Sequence, residues 1–519
     1  MERTHGGIAT PHFLATQAGE KAFERGGSAV DATIAAAAVL AVVYPHMTGL
    51  GGDSWSLIRS PAGDTMALNG TGRHPSQVNP SELRQKYAGG MPLSGPETTP
   101  VPGAVQGWLT MHKLGGSLGW AELLEDAIEL ASEGTVVAPA LSRDLNALWP
   151  ELSADPGLAS VFASPRGGPL QVGERLIQPG LARTLEEMTA HGPSSFYTGG
   201  LGARIVRGLN RLGSVITEED FARQTNDIVA PLSGHYRGNL VSTAPPNSQG
   251  FTLLQILACL EMGKIDIDQE SSSMLVANLF SAANYERERY LTDPAVQDID
   301  LDYLLSPNHI QKLLKRAERG VKNPSSAKPR ASGDTVGISA IDHTGLAVST
   351  LHSIFYAFGA RVLEPDTGIV LQNRSASFSL DPNHPAYLRP GARPPSTLLP
   401  VFVDHPDGRL TSISSMGGRS QAQIQAQLIN KVTRGDSPSD VVSAPRFVVG
   451  AFGPHLEEAL VAEHGLDHIE ARAVALHKLT LVQSPGFDDR CGHAQVVQKS
   501  ADAFLVGTDP RADGTRPNS

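Results

Sequence analysis

The chain has 519 residues, of which 40% are hydrophobic and 18% charged. This composition is typical of a soluble globular protein with one large domain or about two to three ordinary ones. A formal net charge of −11, with no run of Lys and Arg interleaved with aromatic residues, argues against a nucleic-acid-binding protein. The N-terminus has no signal-like apolar core, and the longest apolar run, residues 32–43, is too short to span a bilayer. The two cysteines, Cys259 and Cys491, fit free thiols in a reducing compartment, although they also allow one disulfide. We therefore expect a cytoplasmic protein without membrane or nucleic-acid partners.

Helices dominate the elements predicted before residue 320. Apolar residues at helical spacing predict a helix over residues 11–25, which Gly26-Gly27 ends. Ser28 and Asp31 then resemble a capping box at the start of an almost wholly apolar helix that reaches residue 43, and such a helix belongs inside a packed layer. A glycine-rich loop, a strand, four more helices and a polar linker follow at residues 48–54, 55–59, 123–132, 202–212, 251–262, 273–290 and 320–334.

After residue 335 the pattern favours β-structure. A hairpin is predicted from two apolar runs, residues 336–341 and 346–351, joined by the turn Asp342-His343-Thr344-Gly345. Further strands are predicted at residues 368–372 and 398–403.

A glycine pair follows the strand predicted to end near residue 415. Gly417 and Gly418 precede a helix predicted over residues 421–432, so they fall at its N-terminus. Backbone N–H groups at such a position can approach an oxyanion, and the helix dipole favours negative charge there. A plain Gly-Gly turn is the alternative interpretation.

A single threonine stands where the polar linker meets the first predicted strand of the hairpin. If the chain is cut between Asp334 and Thr335, that threonine gains a free α-amine beside its own hydroxyl. Such an amine, with a reference pKa of roughly 7.7–8.0, can take the hydroxyl proton and make the oxygen a nucleophile. The sequence therefore predicts a precursor whose cleavage creates the active site, although an isolated Asp-Thr pair more often begins an ordinary strand.

Several motifs stand in one order along nearly the whole chain. They are Gly26-Gly27-Ser28-Ala29-Val30-Asp31-Ala32, Thr48-Gly49-Leu50-Gly51-Gly52, Val101-Pro102-Gly103-Ala104-Val105, Pro245-Pro246-Asn247-Ser248-Gln249-Gly250, Phe358-Gly359, Thr367-Gly368-Ile369-Val370-Leu371-Gln372-Asn373 and Ala444-Pro445-Arg446. Together with the Thr335 hairpin they resemble the γ-glutamyltranspeptidase family of N-terminal-nucleophile hydrolases. The resemblance implies an α+β fold, a four-layer αββα sandwich, and self-cleavage between Asp334 and Thr335. The two pieces, residues 1–334 and 335–519, would stay associated as a heterodimer within one domain, and such heterodimers can pair again.

The resemblance also implies roles for individual catalytic residues. Thr335 corresponds to the nucleophile of both processing and acyl transfer, and Ser353 to a hydroxyl that hydrogen-bonds it. Gly417 and Gly418 correspond to the glycines that hold the oxyanion.

Three further residues correspond to groups that bind the α-carboxylate of the substrate. Ser396 and Thr397 align with a Ser-Ser pair that touches this carboxylate, and Arg73 aligns with the arginine that grips it. The planar guanidinium suits this role because it binds a carboxylate through two parallel hydrogen bonds. Without the family, an arginine in a surface turn is the simpler interpretation of Arg73.

Three departures from the family pattern bear on the substrate. Members specific for γ-glutamyl donors recognise the α-amino group with an acidic side chain and nearby amides. Here Ser377 stands at the acidic position, Arg374 at the glutamine position and Phe355 at the asparagine position. Arg374 would repel an ammonium group and would suit, with Arg73, an anionic acyl group that lacks a neighbouring amine. The alternative is that Arg374 pairs with a nearby carboxylate, such as Glu364 or Asp366.

The functional hypotheses follow from these residues. The first is a self-processing hydrolase or acyltransferase that cleaves a γ-glutamyl or related amide of a small anionic substrate through an acyl-enzyme. Alternatives are an oxamate-type or oxalyl-type hydrolase of an amide or carbon–carbon bond, as in a divergent branch of the family, and an unprocessed, non-catalytic member. No Gly-x-Ser-x-Gly, Walker, Gly-x-Gly-x-x-Gly or His-Glu-x-x-His pattern and no Cys/His cluster is present, so we expect neither a cofactor nor a metal. His352 could approach the nucleophile, although a histidine beside a strand is more often structural.

Overall fold

In the part of the chain that the structure describes, two six-stranded antiparallel sheets pack face to face at the centre of the molecule. This computed structural model describes residues 5–320, 334–450, 458–464, 466, 480–501 and 503–515. Most of the linker predicted at residues 320–334 lies outside the described residues. Among the described residues, no helix combines the length and apolar character that crossing a membrane requires.

The strands are numbered in chain order. They are β1 (Gly6–Ala9), β2 (Asp53–Arg59), β3 (Thr65–Gly70), β4 (Thr135–Val136), β5 (Arg175–Leu176), β6 (Asp227–Val229), β7 (Leu232–Tyr236), β8 (Asn239–Thr243), β9 (Asp334–Asp342), β10 (Ala347–Phe355), β11 (Leu363–Glu364), β12 (Ile369–Val370), β13 (Val401–Asp404), β14 (Leu410–Ser415), β15 (Phe447–Gly450), β16 (Ala459–Glu463), β17 (Thr480–Ser484), β18 (Ala494–Lys499) and β19 (Phe504–Thr508).

The helices are numbered in the same way. They are α1 (Phe13–Glu24), α2 (Ala29–Val43), α3 (Pro80–Lys86), α4 (Ala104–Gly115), α5 (Trp120–Glu133), α6 (Pro139–Leu152), α7 (Pro156–Phe162), α8 (Pro179–His191), α9 (Gly199–Arg211), α10 (Glu218–Ala222), α11 (Gly250–Met262), α12 (Ser273–Tyr290), α13 (Leu301–Leu304), α14 (Pro307–Arg319), α15 (Gln421–Arg434) and α16 (Pro438–Ser443).

Each large sheet combines strands from both sides of the Asp334–Thr335 bond. The first sheet has the order β1-β9-β10-β2-β3-β6, so the hairpin that begins at this bond occupies two central positions. The second sheet has the order β19-β18-β14-β13-β8-β7, in which β7 and β8 come from the earlier part of the chain. Residues before and after this bond therefore contribute strands to both large sheets.

Three apolar interfaces separate four layers. Alternate residues of β9, such as Val336 and Ile338, pack with α1, α2, α4, α5, α8 and α9 on the outer face of the first sheet. Ile341, Leu351 and Phe402 belong to a second cluster between the two sheets. The outer face of the second sheet packs against α11, α12, α14 and α15. The structure thus confirms the α+β, four-layer αββα sandwich.

Long, strongly patterned elements agree best with the sequence predictions. The helix α12 has the predicted bounds, and α2 begins with the predicted capping box and is buried along its whole length. The hairpin is also confirmed, with β9 and β10 longer than predicted. The strand predicted at residues 368–372 shortens to two residues, and the one predicted at 398–403 begins only at Val401, because strand bounds depend on ladder partners from distant parts of the chain.

The buried Asp31 fixes the start of α2 and the loop that precedes α5. Its carboxylate accepts hydrogen bonds from the N–H and hydroxyl of Ser28, from the N–H and hydroxyl of Ser117, and from the Leu118 N–H, at 2.8–3.2 Å. We expect Asp31→Ala to lower the free energy of unfolding by about 3 kcal/mol, because it leaves several buried donors without an acceptor. Urea denaturation checks this, with Asp64→Ala in an exposed turn as the control. Equal midpoints for the two variants would contradict it.

Candidate active site

The hydroxyl of Ser353 connects both sides of the predicted cleavage point. Thr335, the second residue of β9, is 1% exposed, and its Oγ1 donates to Ser353 Oγ at 3.2 Å. Ser353 Oγ in turn donates to the carbonyl oxygen of Asp334 at 2.7 Å and accepts from the Phe355 N–H at 2.9 Å. The peptide bond between Asp334 and Thr335 is intact in this structure. The Ser353 hydroxyl therefore touches both the candidate nucleophile, Thr335, and the Asp334 carbonyl that Thr335 would attack.

Strand alternation separates His352 from this cluster. Side chains of successive strand residues point to opposite faces, so Ser353 and Thr335 face the second sheet while His352 faces the helices. The His352 ring lies 6.2 Å from the ring of Trp108 in α4, and burial lowers the pKa of His352 to about 3. His352 is a buried structural residue, and the possibility that it approaches the nucleophile is wrong.

The register between the two sheets brings the glycine pair toward Thr335. Ser412 Oγ donates to the carbonyl of Val348, which pairs with Ala340, whereas Ser414 lies against Gly337 and Ser339, earlier in β9. Later residues of β14 thus lie against earlier residues of β9. The turn that follows β14 continues in this direction, toward the first residues of β9.

The glycine turn itself requires glycine. Gly417 and Gly418 have φ angles of 150° and 51°, and a Cβ on Gly417 would lie 2.3 Å from Ile424 Cδ1. The side chain of Gln249 donates to the Gly418 carbonyl at 3.0 Å, and Arg287 donates to the Arg419 carbonyl at 2.5 Å. A short 3-10 helix, Gly418–Ser420, then leads into α15, so the pair lies at a helix N-terminus as predicted.

Arg374 belongs to a fully buried ion pair. Its Nε donates to Asp53 Oδ2 at 2.9 Å, and both side chains are 0% exposed. Asp53 also accepts from the Gly72 N–H at 2.8 Å and from Gln372 Nε2 at 2.7 Å. Burial raises the pKa of Asp53 and lowers that of Arg374, because desolvation disfavours the charged form of each. The attraction between the two charges and their hydrogen bond oppose both shifts.

The alternative partners named for Arg374 are wrong. Glu364 and Asp366 both lie within 3.4 Å of the guanidinium of Arg211 instead. A pairing with a carboxylate is nevertheless what the structure contains, with Asp53 in that role.

Four predicted site residues line one cleft, and Arg374 is buried beside two of them. Arg374 Nη1 lies 3.5 Å from Thr397 Oγ1, and the ring of Phe355 covers the guanidinium, with its centroid 4.8 Å from Cζ. Ser377 and Ser396 line a small cavity of about 40 Å³ with Phe355 and Thr397. A larger cavity of about 390 Å³ continues outward, and the two share the lining residues Glu288, Ser377, His384 and Arg419. We call the pair of cavities the substrate cleft.

Arg73 lies apart from this group. Its side chain is 34% exposed, with Nη1 3.4 Å from the Gly391 carbonyl and 3.9 Å from Asp293 Oδ2. Burial and the neighbouring Arg393 lower the pKa of Arg73. Within the described residues, Arg73 does not line the substrate cleft, although Gly72 before it binds Asp53.

Three charged residues lie beside the glycine turn in positions that the sequence did not predict. Arg287 is buried in α12 and pairs with Glu288 at 3.0 Å, and Glu288 binds Arg419 at 3.1 Å. The only local signal was the position of Arg419 directly after Gly418. Asp53 was missed as well, although it follows the Gly51-Gly52 motif directly. Within the described ranges, no group of three His, Cys, Asp or Glu residues is arranged to hold a metal ion.

The chain is similar to known proteins along nearly its full length. The family model described as Gamma-glutamyltranspeptidase matches residues 15–517. The oxamate amidohydrolase proenzyme of Klebsiella pneumoniae is 35% identical, with 98% of each chain covered. The glutathione hydrolase-like YwrD proenzyme of Bacillus subtilis is 36% identical, with 98% of this chain and 97% of the relative covered. The crystal structure of cephalosporin acylase from Bacillus halodurans superposes with a TM-score of 0.86 at 29% identity, covering 99% of this chain and 95% of that one.

The buried pair of Asp53 and Arg374 gives a test of the site's framework. Asp53→Ala leaves a buried guanidinium without its counter-ion, so we expect the free energy of unfolding to fall by about 3–5 kcal/mol. The double variant Asp53→Ala/Arg374→Met should recover much of this loss, because it removes the uncompensated charge. Urea denaturation midpoints of both variants measure the effect. A double variant no more stable than Asp53→Ala alone would contradict it.

Proposed function

Because the chain belongs to the γ-glutamyltranspeptidase family and is an amide-hydrolysing enzyme, we propose that it is a proenzyme that cuts itself before Thr335 and then uses Thr335 as its nucleophile. One observation carries the proposal. The Ser353 hydroxyl lies within hydrogen-bond distance of both Thr335 Oγ1 and the Asp334 carbonyl oxygen.

The processing step follows from these contacts. Thr335 Oγ gives up its proton and attacks the Asp334 carbonyl carbon, the C–N bond breaks, and the backbone nitrogen takes the proton, so that the acyl group moves from nitrogen to oxygen as an ester. Ser353 donates a hydrogen bond to the carbonyl oxygen, on which negative charge develops. Water then hydrolyses the ester, which leaves a carboxylate on Asp334 and a free α-amine on Thr335.

Turnover uses the new amine. It takes the hydroxyl proton of Thr335, and the resulting alkoxide attacks the acyl carbonyl of the substrate. The N–H groups of Gly417 and Gly418 hold the oxyanion, the leaving group takes the proton, and water or an amine resolves the acyl-enzyme. The register of β14 against β9, which directs the glycine turn toward Thr335, supports this assignment.

The substrate is proposed to be a small amide with an anionic acyl group, bound in the inner part of the substrate cleft. Ser396 and Thr397 offer hydroxyls there, and Arg374 offers a guanidinium directly behind Thr397, while Ser377 and Phe355 provide no carboxylate for an ammonium group. An oxamate-like acyl group fits this set, and the 35% identity to an oxamate amidohydrolase proenzyme supports it. A γ-glutamyl donor is the second candidate, supported by the 36% identity to a glutathione hydrolase-like protein. Arg73 is a proposed contact only for a longer substrate.

Replacement of the nucleophile tests the whole proposal. We expect Thr335→Ala to abolish both cleavage and turnover, because alanine has no hydroxyl to attack either carbonyl. Denaturing gels and N-terminal sequencing of the fragment that begins at Thr335 measure cleavage. Thr344→Ala, in the exposed turn of the same hairpin, should mature normally. A Thr335→Ala protein that matures and turns over substrate at the wild-type rate would contradict the mechanism.

Two replacements of Ser353 distinguish the effect of its hydroxyl from the effect of its size. We expect Ser353→Ala to slow cleavage on the order of 100-fold, which is the usual effect of removing one oxyanion donor. Ser353→Thr keeps a hydroxyl and should retain most of the rate. The half-time of precursor loss on gels measures both, and an alanine variant that matures as fast as the threonine variant would refute the role.

A comparison of two substrates tests the pocket. We expect oxamate to be hydrolysed with a higher kcat/KM than a γ-glutamyl anilide. Arg374→Lys keeps a positive charge beside Asp53 but loses the planar fork, so kcat/KM for oxamate should fall roughly 10- to 100-fold. The residual γ-glutamyl activity should fall much less. An equal loss on both substrates would argue against carboxylate recognition by Arg374.

A further inference from the structure

Arg374 carries a buried hydrogen-bond donor that nothing satisfies. Its Nε binds Asp53 and its Nη1 lies near Thr397, but within the described residues Nη2 has no hydrogen-bond partner. The side chain is 0% exposed. An unpaired donor at such depth is costly, which points to an anionic ligand that binds Nη2 in another state of the protein.

In the uncut chain this donor is out of reach. The Phe355 ring covers the guanidinium at 4.8 Å, and the inner cavity beside it has a volume of about 40 Å³. Such a cavity has room for no more than a few waters. A carboxylate-bearing substrate can reach Arg374 only if the ring moves.

The position of Phe355 depends on the residue that cleavage releases. Asp334 is the ladder partner of Phe355, across an irregularity in the pairing of β9 with β10. The Ser353 hydroxyl joins the two, since it donates to the Asp334 carbonyl and accepts from the Phe355 N–H. Once cut, Asp334 is a free chain end.

The backbone conformation of Phe355 also favours movement of its ring. Its φ is 81°, in the left-handed region that a bulky side chain rarely adopts, so its neighbours must hold it there. Among the described residues, the ring belongs to a small apolar cluster with Tyr356 and Ala376 that is separate from the main core. A movement of the ring therefore need not disturb the packing of the main core.

We infer that the Phe355 ring is a gate over Arg374, closed while the Asp334–Thr335 bond is intact and opened by its cleavage. The inference rests on the proposed function and adds a regulation to it. Cleavage frees the nucleophile and, in the same event, exposes the guanidinium that binds the carboxylate of the substrate. The uncut protein is thus blocked twice, at the nucleophile and at the anion site.

Chemical modification of arginine tests the gate without any assumption about the substrate. p-Hydroxyphenylglyoxal is added to the cleaved wild-type protein and to the uncut Thr335→Ala protein, and modified arginines are mapped by mass spectrometry. We expect Arg374 to react at least about tenfold faster in the cleaved protein, in proportion to the open fraction of the gate. Two internal controls calibrate the rates, since Arg446 is buried and ion-paired and Arg166 has a side chain that is 89% exposed.

Removal of the ring should open the gate without cleavage. We expect Arg374 in Thr335→Ala/Phe355→Ala to react about as fast as in the cleaved wild type. Thr335→Ala/Phe378→Ala removes another buried ring close in sequence, and there Arg374 should stay protected. If Arg374 reacts equally fast in the two double variants, the loss of any buried ring loosens the site, and the proposed gate is overturned.

The outcomes separate the gate from the proposed function. A cleaved protein whose Arg374 is as slow as in the uncut chain overturns the gate and leaves the proposed function standing. An uncut chain whose Arg374 is already as fast as in the cleaved protein does the same. A wild-type chain that never cleaves overturns the proposed function and the gate with it.

Discussion

The central constraint of this fold is the antiparallel pairing of β9 and β10 with strands from the opposite side of one peptide bond. β9 pairs with β1, and β10 pairs with β2 over seven consecutive residues, from Ala347 to Ser353. The second sheet is composite as well, since β13 pairs with β8. Because these ladders and the apolar layers around them cross between the two pieces, breaking one peptide bond does not divide the structure. Chemistry at that bond can therefore change the site while the scaffold stays whole.

The buried carboxylate of Asp53 joins parts of the site that are distant in the chain, as the ladders join the two sides of the fold. It lies at the start of β2 and binds Gly72 in one distant segment and Gln372 and Arg374 in another. With Nε held by Asp53, the guanidinium has a fixed orientation, and its other edge is directed toward Thr397. Under the proposed function, a charge fixed in this way would need little further ordering to bind an anion, which is the general advantage of a preorganised site.

The sequence predicted features that are local, and it missed those that join distant segments. The capping box of α2, the bounds of α12 and the hairpin after Thr335 follow from short-range spacing, and the structure agrees with them. The partner of Arg374 lies 321 positions away in Asp53, and no local pattern indicates such a pair. Nearer carboxylates were the natural expectation, yet they bind Arg211. The family resemblance identified Ser353, but only the structure placed its hydroxyl against the Asp334 carbonyl.

The composite sheets have a consequence for the life of the molecule. Ser353 meets Asp334 and Thr335 only after β10 has paired with β9, and the glycine turn comes near only after the second sheet has closed over the first. Under the proposed mechanism, a copy that misfolds never acquires a competent nucleophile and stays inert. Only correctly folded molecules would then become active hydrolases, which would protect the cell from unwanted hydrolysis during synthesis.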